Sequence, residues 1–74
     1  MQPAILVFRT SLRTERDIDR IRPALDRLTG DNEAWQCDLE DCDKVLRVVT
    51  HTLRDADIIT VLHNAGYACA ALED

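Results

Sequence analysis

Residues 35–48 read Trp35-Gln36-Cys37-Asp38-Leu39-Glu40-Asp41-Cys42-Asp43-Lys44-Val45-Leu46-Arg47-Val48, two alternating runs around an acidic centre. With Glu40–Asp43 as the loop, Leu39 faces Lys44, Cys37 faces Leu46 and Trp35 faces Val48. Trp35, Cys37, Leu39, Leu46 and Val48 then share one apolar face, while Gln36 pairs with Arg47 on the other. A slip of one residue mixes the two faces, so the pattern selects this register for a β-hairpin.

Upstream of the hairpin, Ala4–Phe8 is a short aliphatic and aromatic run suited to a strand, and Thr10–Arg13 reads as a loop. Thr14-Glu15-Arg16-Asp17 follows the capping-box pattern, with Asp17 in the place of the usual Glu or Gln. Ile18, Ile21, Leu25 and Leu28 then recur at helical spacing, with Ala24 beside them, and Gly30 stops the helix. Pro23 inside that segment predicts a kink, or a helix that begins nearer to it than the cap suggests. Arg22 and Asp26 are spaced to pair at i,i+4.

Downstream, Thr52–Asp55 offers a second T-x-x-D cap, Ile58, Ile59, Leu62 and Ala65 turn inward on a second helix, and Gly66 ends it. Tyr67–Leu72 is the closing strand. The order β-α-β-β-α-β is the split βαβ arrangement, an α+β, ferredoxin-like sandwich in which two helices cover one face of a four-stranded antiparallel sheet. Residues 1–74 form one domain.

Composition narrows function by exclusion. The chain has 74 residues and a net charge of −5, which argues against nucleic acid as a general partner. The first 30 residues carry six Arg against four acids, whereas the rest carry three basic residues against ten acids. Such asymmetry steers an approaching partner. No apolar run approaches the roughly 20 residues of a membrane span, and Pro3–Phe8 lacks the flanks of a signal peptide. Cytoplasmic placement is therefore expected, with Cys37, Cys42 and Cys69 as free thiols, an odd number without a C-x-x-C pair. Cys37 and Cys69 are expected in the interior and Cys42 at the exposed hairpin tip. His51 and His63 share no ligand motif, and His63 belongs on the outer face of its helix.

Ile21–Leu28, Asp38-Leu39-Glu40, Leu46-Arg47-Val48, Ile58-Ile59 and, most specifically, Ala65-Gly66-Tyr67 resemble the heavy-metal-associated domain of copper chaperones and metal-transporting ATPases. The resemblance spans nearly the whole chain. In that family G-M-x-C-x-x-C, in the loop between the first strand and first helix, binds Cu(I) or a similar soft cation. Here the corresponding residues are Ser11-Leu12-Arg13-Thr14-Glu15-Arg16-Asp17. Leu12 can replace the buried Met, but Thr14 and Asp17 stand where the two thiolates belong, and a hydroxyl and a hard carboxylate do not replace them for Cu(I). The resemblance therefore implies the family fold with a degenerate metal site, no cofactor and no bound metal.

Two surfaces remain as candidate sites. Arg13, Arg16 and Arg20 lie in or near the loop where family members meet partners, and suit an anion or acidic surface. Ile5, Val7, Val45 and Val49 fall by alternation on the face of the central strands away from the helices, a patch for a protein partner or a second copy. Enzyme readings are weak. Acylphosphatases share the strand order and use a loop Arg with an Asn on the third strand, but Asn32 and Asn64 are misplaced for that role. An RNA-binding sheet would need exposed aromatics, and one Phe, one Trp and one Tyr are all absorbed by the fold. The expectation is a non-catalytic binding module acting through protein contact or self-association. The alternatives are a metal protein with non-standard ligands and a small-molecule sensor resembling ACT regulatory domains.

Overall fold

The computed structural model describes residues 2–30, 33–40 and 44–72. Its elements run β1 (Ala4–Thr10), α1 (Glu15–Leu28), β2 (Ala34–Asp38), β3 (Val45–Thr50), α2 (Asp55–Asn64) and β4 (Cys69–Ala71). The four strands form one antiparallel sheet in the order β2-β3-β1-β4. This is the ferredoxin-like α+β arrangement.

The hairpin register is the one the alternation selects: Trp35 opposite Val48, Gln36 opposite Arg47 and Cys37 opposite Leu46. Residues 41–43 of the expected loop, including Cys42, lie outside the described residues. β1 sits centrally beside β3, pairing Leu6 with Val48 and Phe8 with Leu46. Phe8, Leu46, Val48 and Cys69 of the sheet pack with Leu12 of the loop, Ile21 and Leu25 of α1 and Ile58 and Leu62 of α2 into one core. Leu12 is fully buried.

Several expectations at element ends are corrected. β1 continues to Thr10 rather than stopping at Phe8, because Thr10 joins the ladder opposite Cys69. The Thr10 hydroxyl also donates to the Lys44 carbonyl at 2.8 Å. α1 begins at Glu15 and runs unbroken through Pro23, so the later start is wrong. The Asp19 carbonyl left without a donor lies on an exposed stretch of helix, where water can serve it.

α2 starts at Asp55 behind an Arg54 N-cap, not at a Thr52 cap. Thr52 is engaged elsewhere, its N–H donating to the Thr50 hydroxyl at 3.1 Å and its own hydroxyl to Glu33 at 3.3 Å. Asp57 closes the new end by accepting from the Arg54 N–H at 2.9 Å. Ala65 is exposed as the C-cap of α2 rather than packed inward. Tyr67 belongs to the turn before β4, which is shorter than expected at three residues. Arg22 pairs with Asp19 at 3.4 Å and not with Asp26, which instead accepts from the Trp35 indole N–H at 2.9 Å. Among the described residues, no helix is long and apolar enough to cross a membrane.

Candidate functional site

The β1–α1 loop is where the family resemblance would put chemistry. It is closed by a complete capping box. The Thr14 hydroxyl accepts from the Asp17 N–H at 3.3 Å, and Asp17 Oδ2 accepts from the N–H groups of Arg13 at 2.9 Å and Thr14 at 3.1 Å. Its other oxygen, Oδ1, accepts from the Tyr67 hydroxyl at 2.8 Å. The Arg13 N–H and then the Tyr67 hydroxyl hold the Asp17 carboxyl below its usual range. Accepting from Tyr67, Asp17 in turn holds the phenol up, with Arg20 partly opposing it. Ser11 completes the closure by exchanging hydrogen bonds with Ala68: its N–H donates to the Ala68 carbonyl at 3.1 Å and its hydroxyl accepts the Ala68 N–H at 2.8 Å.

This donor set does not fit a soft cation. Both oxygens of Asp17 are committed to protein donors, and Thr14 is turned to the helix N-terminus. Among the described residues, no three His, Cys, Asp or Glu side chains gather as a ligand set. Cys37 and Cys69 are free and lie apart on different strands. Burial pushes both thiols up, Cys69 to about 11, so neither offers a ready thiolate. His51 and His63 are exposed.

Arg13, Arg16 and Arg20 are all exposed around this loop and the first turns of α1. None forms an ion pair with a described residue.

The open face of the sheet departs from expectation at one position. Ile5 is 64% exposed, Val7 and Val49 are half-buried, and Ile5 lies directly opposite Val49. Val45, by contrast, is 5% exposed and is removed from the patch. The register sets it between Arg9 on β1 and Asp38 on β2, with Arg47 two residues along, and the aliphatic stems of two such Arg side chains are long enough to lie over a neighbouring Val. Leu72, 37% exposed, takes a place that sequence reading left empty. Its N–H donates to the Val7 carbonyl at 2.8 Å, continuing the β1–β4 ladder one step past β4.

Two further features were not read from the sequence. Glu33 ties three segments together. It accepts from the Gly30 N–H at 2.8 Å, the His51 N–H at 2.9 Å, and the hydroxyls of Thr50 and Thr52. A Glu three residues after a helix-ending Gly, with a Thr-x-Thr at the end of a later strand, was the only available signal. The second feature is an open groove of about 460 Å³ between α1 and β2, lined in part by Ile18, Arg22, Asp26, Trp35 and Cys37. Arg22 stacks over the Trp35 ring there, 5.5 Å from its centroid. Compared with protein-family models, with curated proteins and with solved structures, the chain finds no match.

Proposed function

We propose that this chain is a non-catalytic binding module that works through protein contact, in the first place with a second copy of itself. In this reading it is a relative of the heavy-metal-associated domain whose metal loop has become a helix cap, and it acts in the cytoplasm, where free thiols persist. The observation that carries the association is the aliphatic row Ile5, Val7, Val49 and Leu72 on a sheet face that no helix covers. Uncovered faces of antiparallel sheets are normally polar, and clustered exposed aliphatics mark contact surfaces. A two-fold pairing needs only one self-complementary patch.

Light scattering over a concentration series tests the association, and a chelator competition with Cu(I) under reducing conditions tests the lost metal site. The wild type should gain mass with concentration and fail to compete for Cu(I). Thr14→Cys combined with Asp17→Cys should gain Cu(I) affinity if the loop keeps the family geometry. A monomer at every concentration, with no partner recovered by pull-down, ends the association reading. Tight stoichiometric Cu(I) binding by the wild type ends the cap reading, and no gain in the double variant ends the family one.

A further inference from the structure

We infer that two copies of the chain join through the outer edges of their β2 strands, an antiparallel seam that extends the four-stranded sheet to eight strands. This rests on the self-association reading above but assigns the contact to the edge of the sheet rather than to its open face. The argument begins with the direction of the backbone groups. Ser11 N–H donates to the Ala68 carbonyl and Leu72 N–H to the Val7 carbonyl, so the odd-numbered residues of β1 turn their N–H and C=O groups toward β4. The even-numbered residues of β1 therefore face β3. The registers carry that alternation across the sheet: Val45, Arg47 and Val49 face β2, and Ala34, Gln36 and Asp38 answer them.

The backbone groups of Trp35 and Cys37 are left pointing out of the sheet, and no described loop donates to or accepts from them. The ends of this edge are closed. Glu33 N–H donates to the Gly30 carbonyl at 3.0 Å, and Lys44 Nζ donates to the Leu39 carbonyl at 2.8 Å. Between those stops, Ala34–Asp38 has no proline and no bulge, and its one charge, Asp38, stands at the end of the strand, so the middle of the edge lacks the devices that ordinarily guard one. The opposite edge, β4, is guarded by its shortness, three residues.

The second copy fits this edge by its own sequence. With Trp35 of one copy opposite Cys37 of the other, every outward N–H at these residues meets an outward C=O. Gln36 then faces Gln36, Ala34 faces Asp38, and no like charges oppose one another. Residues opposite one another share a face, so Trp35 and Cys37 of the second copy point to the helix side, toward the groove beside α1. The open faces of the two copies become one continuous surface.

Light scattering on the wild type, Cys37→Ala, Cys37→Pro and Ile5→Glu, with amide hydrogen exchange on the wild type, decides the matter. Proline at position 37 deletes an outward N–H that the β2–β3 ladder does not use, and edge strands tolerate it. The wild-type mass should double from 8.4 kDa with rising concentration. Cys37→Ala should follow it, and Cys37→Pro should stay monomeric with an unchanged far-ultraviolet dichroism spectrum. The Trp35 and Cys37 amides of the wild type should exchange more slowly as concentration rises, a readout that does not depend on any variant folding. A wild type that doubles while these amides keep a concentration-independent rate overturns the edge seam and leaves self-association standing, as does a monomeric Ile5→Glu beside a dimeric Cys37→Pro. A wild type monomeric throughout overturns both.

Discussion

Asp17 shows how one residue can be withdrawn from chemistry by its neighbours. A carboxylate at a helix N-terminus attracts cations or donors, and here the donors are already supplied by the chain: two N–H groups of the loop and the Tyr67 hydroxyl. Thr14 provides the reciprocal half by accepting from the Asp17 N–H. Thr14→Ala should therefore cost about 1 kcal/mol, the usual cost of removing a Thr N-cap. Urea unfolding read by the single tryptophan checks it. An unchanged midpoint at unchanged slope would mean that Asp17 and the Tyr67 tie hold the helix start without the hydroxyl.

Among the elements, α2 depends most on how it ends. Gly66 has a φ of 94°, and the turn there is a Schellman motif, with Gly66 N–H donating to the His63 carbonyl at 3.0 Å and Tyr67 N–H to the Leu62 carbonyl at 2.9 Å. That turn aims Tyr67 back toward Asp17 across the sandwich. Beyond its two chain neighbours, nothing lies within 4 Å of where a Cβ would sit, so Gly66→Ala meets only the backbone penalty of a left-handed conformation. It should lower stability by roughly 1–2 kcal/mol without disturbing the core, which denaturant melts together with unchanged methyl NMR shifts of Leu62 and Ile58 would register.

The terminators, the first cap and the hairpin register were legible from sequence because each rests on neighbouring residues or on strict alternation. Arg54 in place of Thr52 as N-cap was not legible, because the Thr52 hydroxyl is claimed by Glu33, a residue distant in sequence. Val45 was misread for a related reason. Alternation gives its face correctly, but its burial depends on where the strand sits in the sheet, with β1 on one side of Val45 and β2 on the other. The groove needed the three-dimensional meeting of α1 with β2, since only there do Arg22 and Asp26 find Trp35.

At the scale of the whole molecule, Glu33 is the tie between the two halves of the fold. It precedes β2, caps the turn after α1 through Gly30, and holds the end of β3 through Thr50, His51 and Thr52. The Thr50 side chain it meets is itself buried, and its hydroxyl also accepts from the Leu53 N–H at 2.9 Å on the way into α2. These donors, the Thr50 hydroxyl foremost, pull the Glu33 carboxyl down from its ordinary 4.5 to about 2. A carboxyl whose value is lowered by folding contributes stability that is complete above its unfolded value and is lost as the pH falls toward its folded one. The melting temperature should accordingly hold steady from neutral pH to about 5 and fall between 4.5 and about 2, with Asp17 adding to the same limb. Glu33→Gln separates the two contributions. The amide keeps one acceptor oxygen but turns an NH₂ group toward donors that need an acceptor, so the variant should melt lower than the wild type at neutral pH. Because protonation takes the same charge from the wild type, the two melting curves should converge as the pH approaches 2. Calorimetry of both proteins across this range checks it, and a gap that stays constant down to pH 2 would show that Glu33 acts by shape and packing rather than by the charge it presents to its donors.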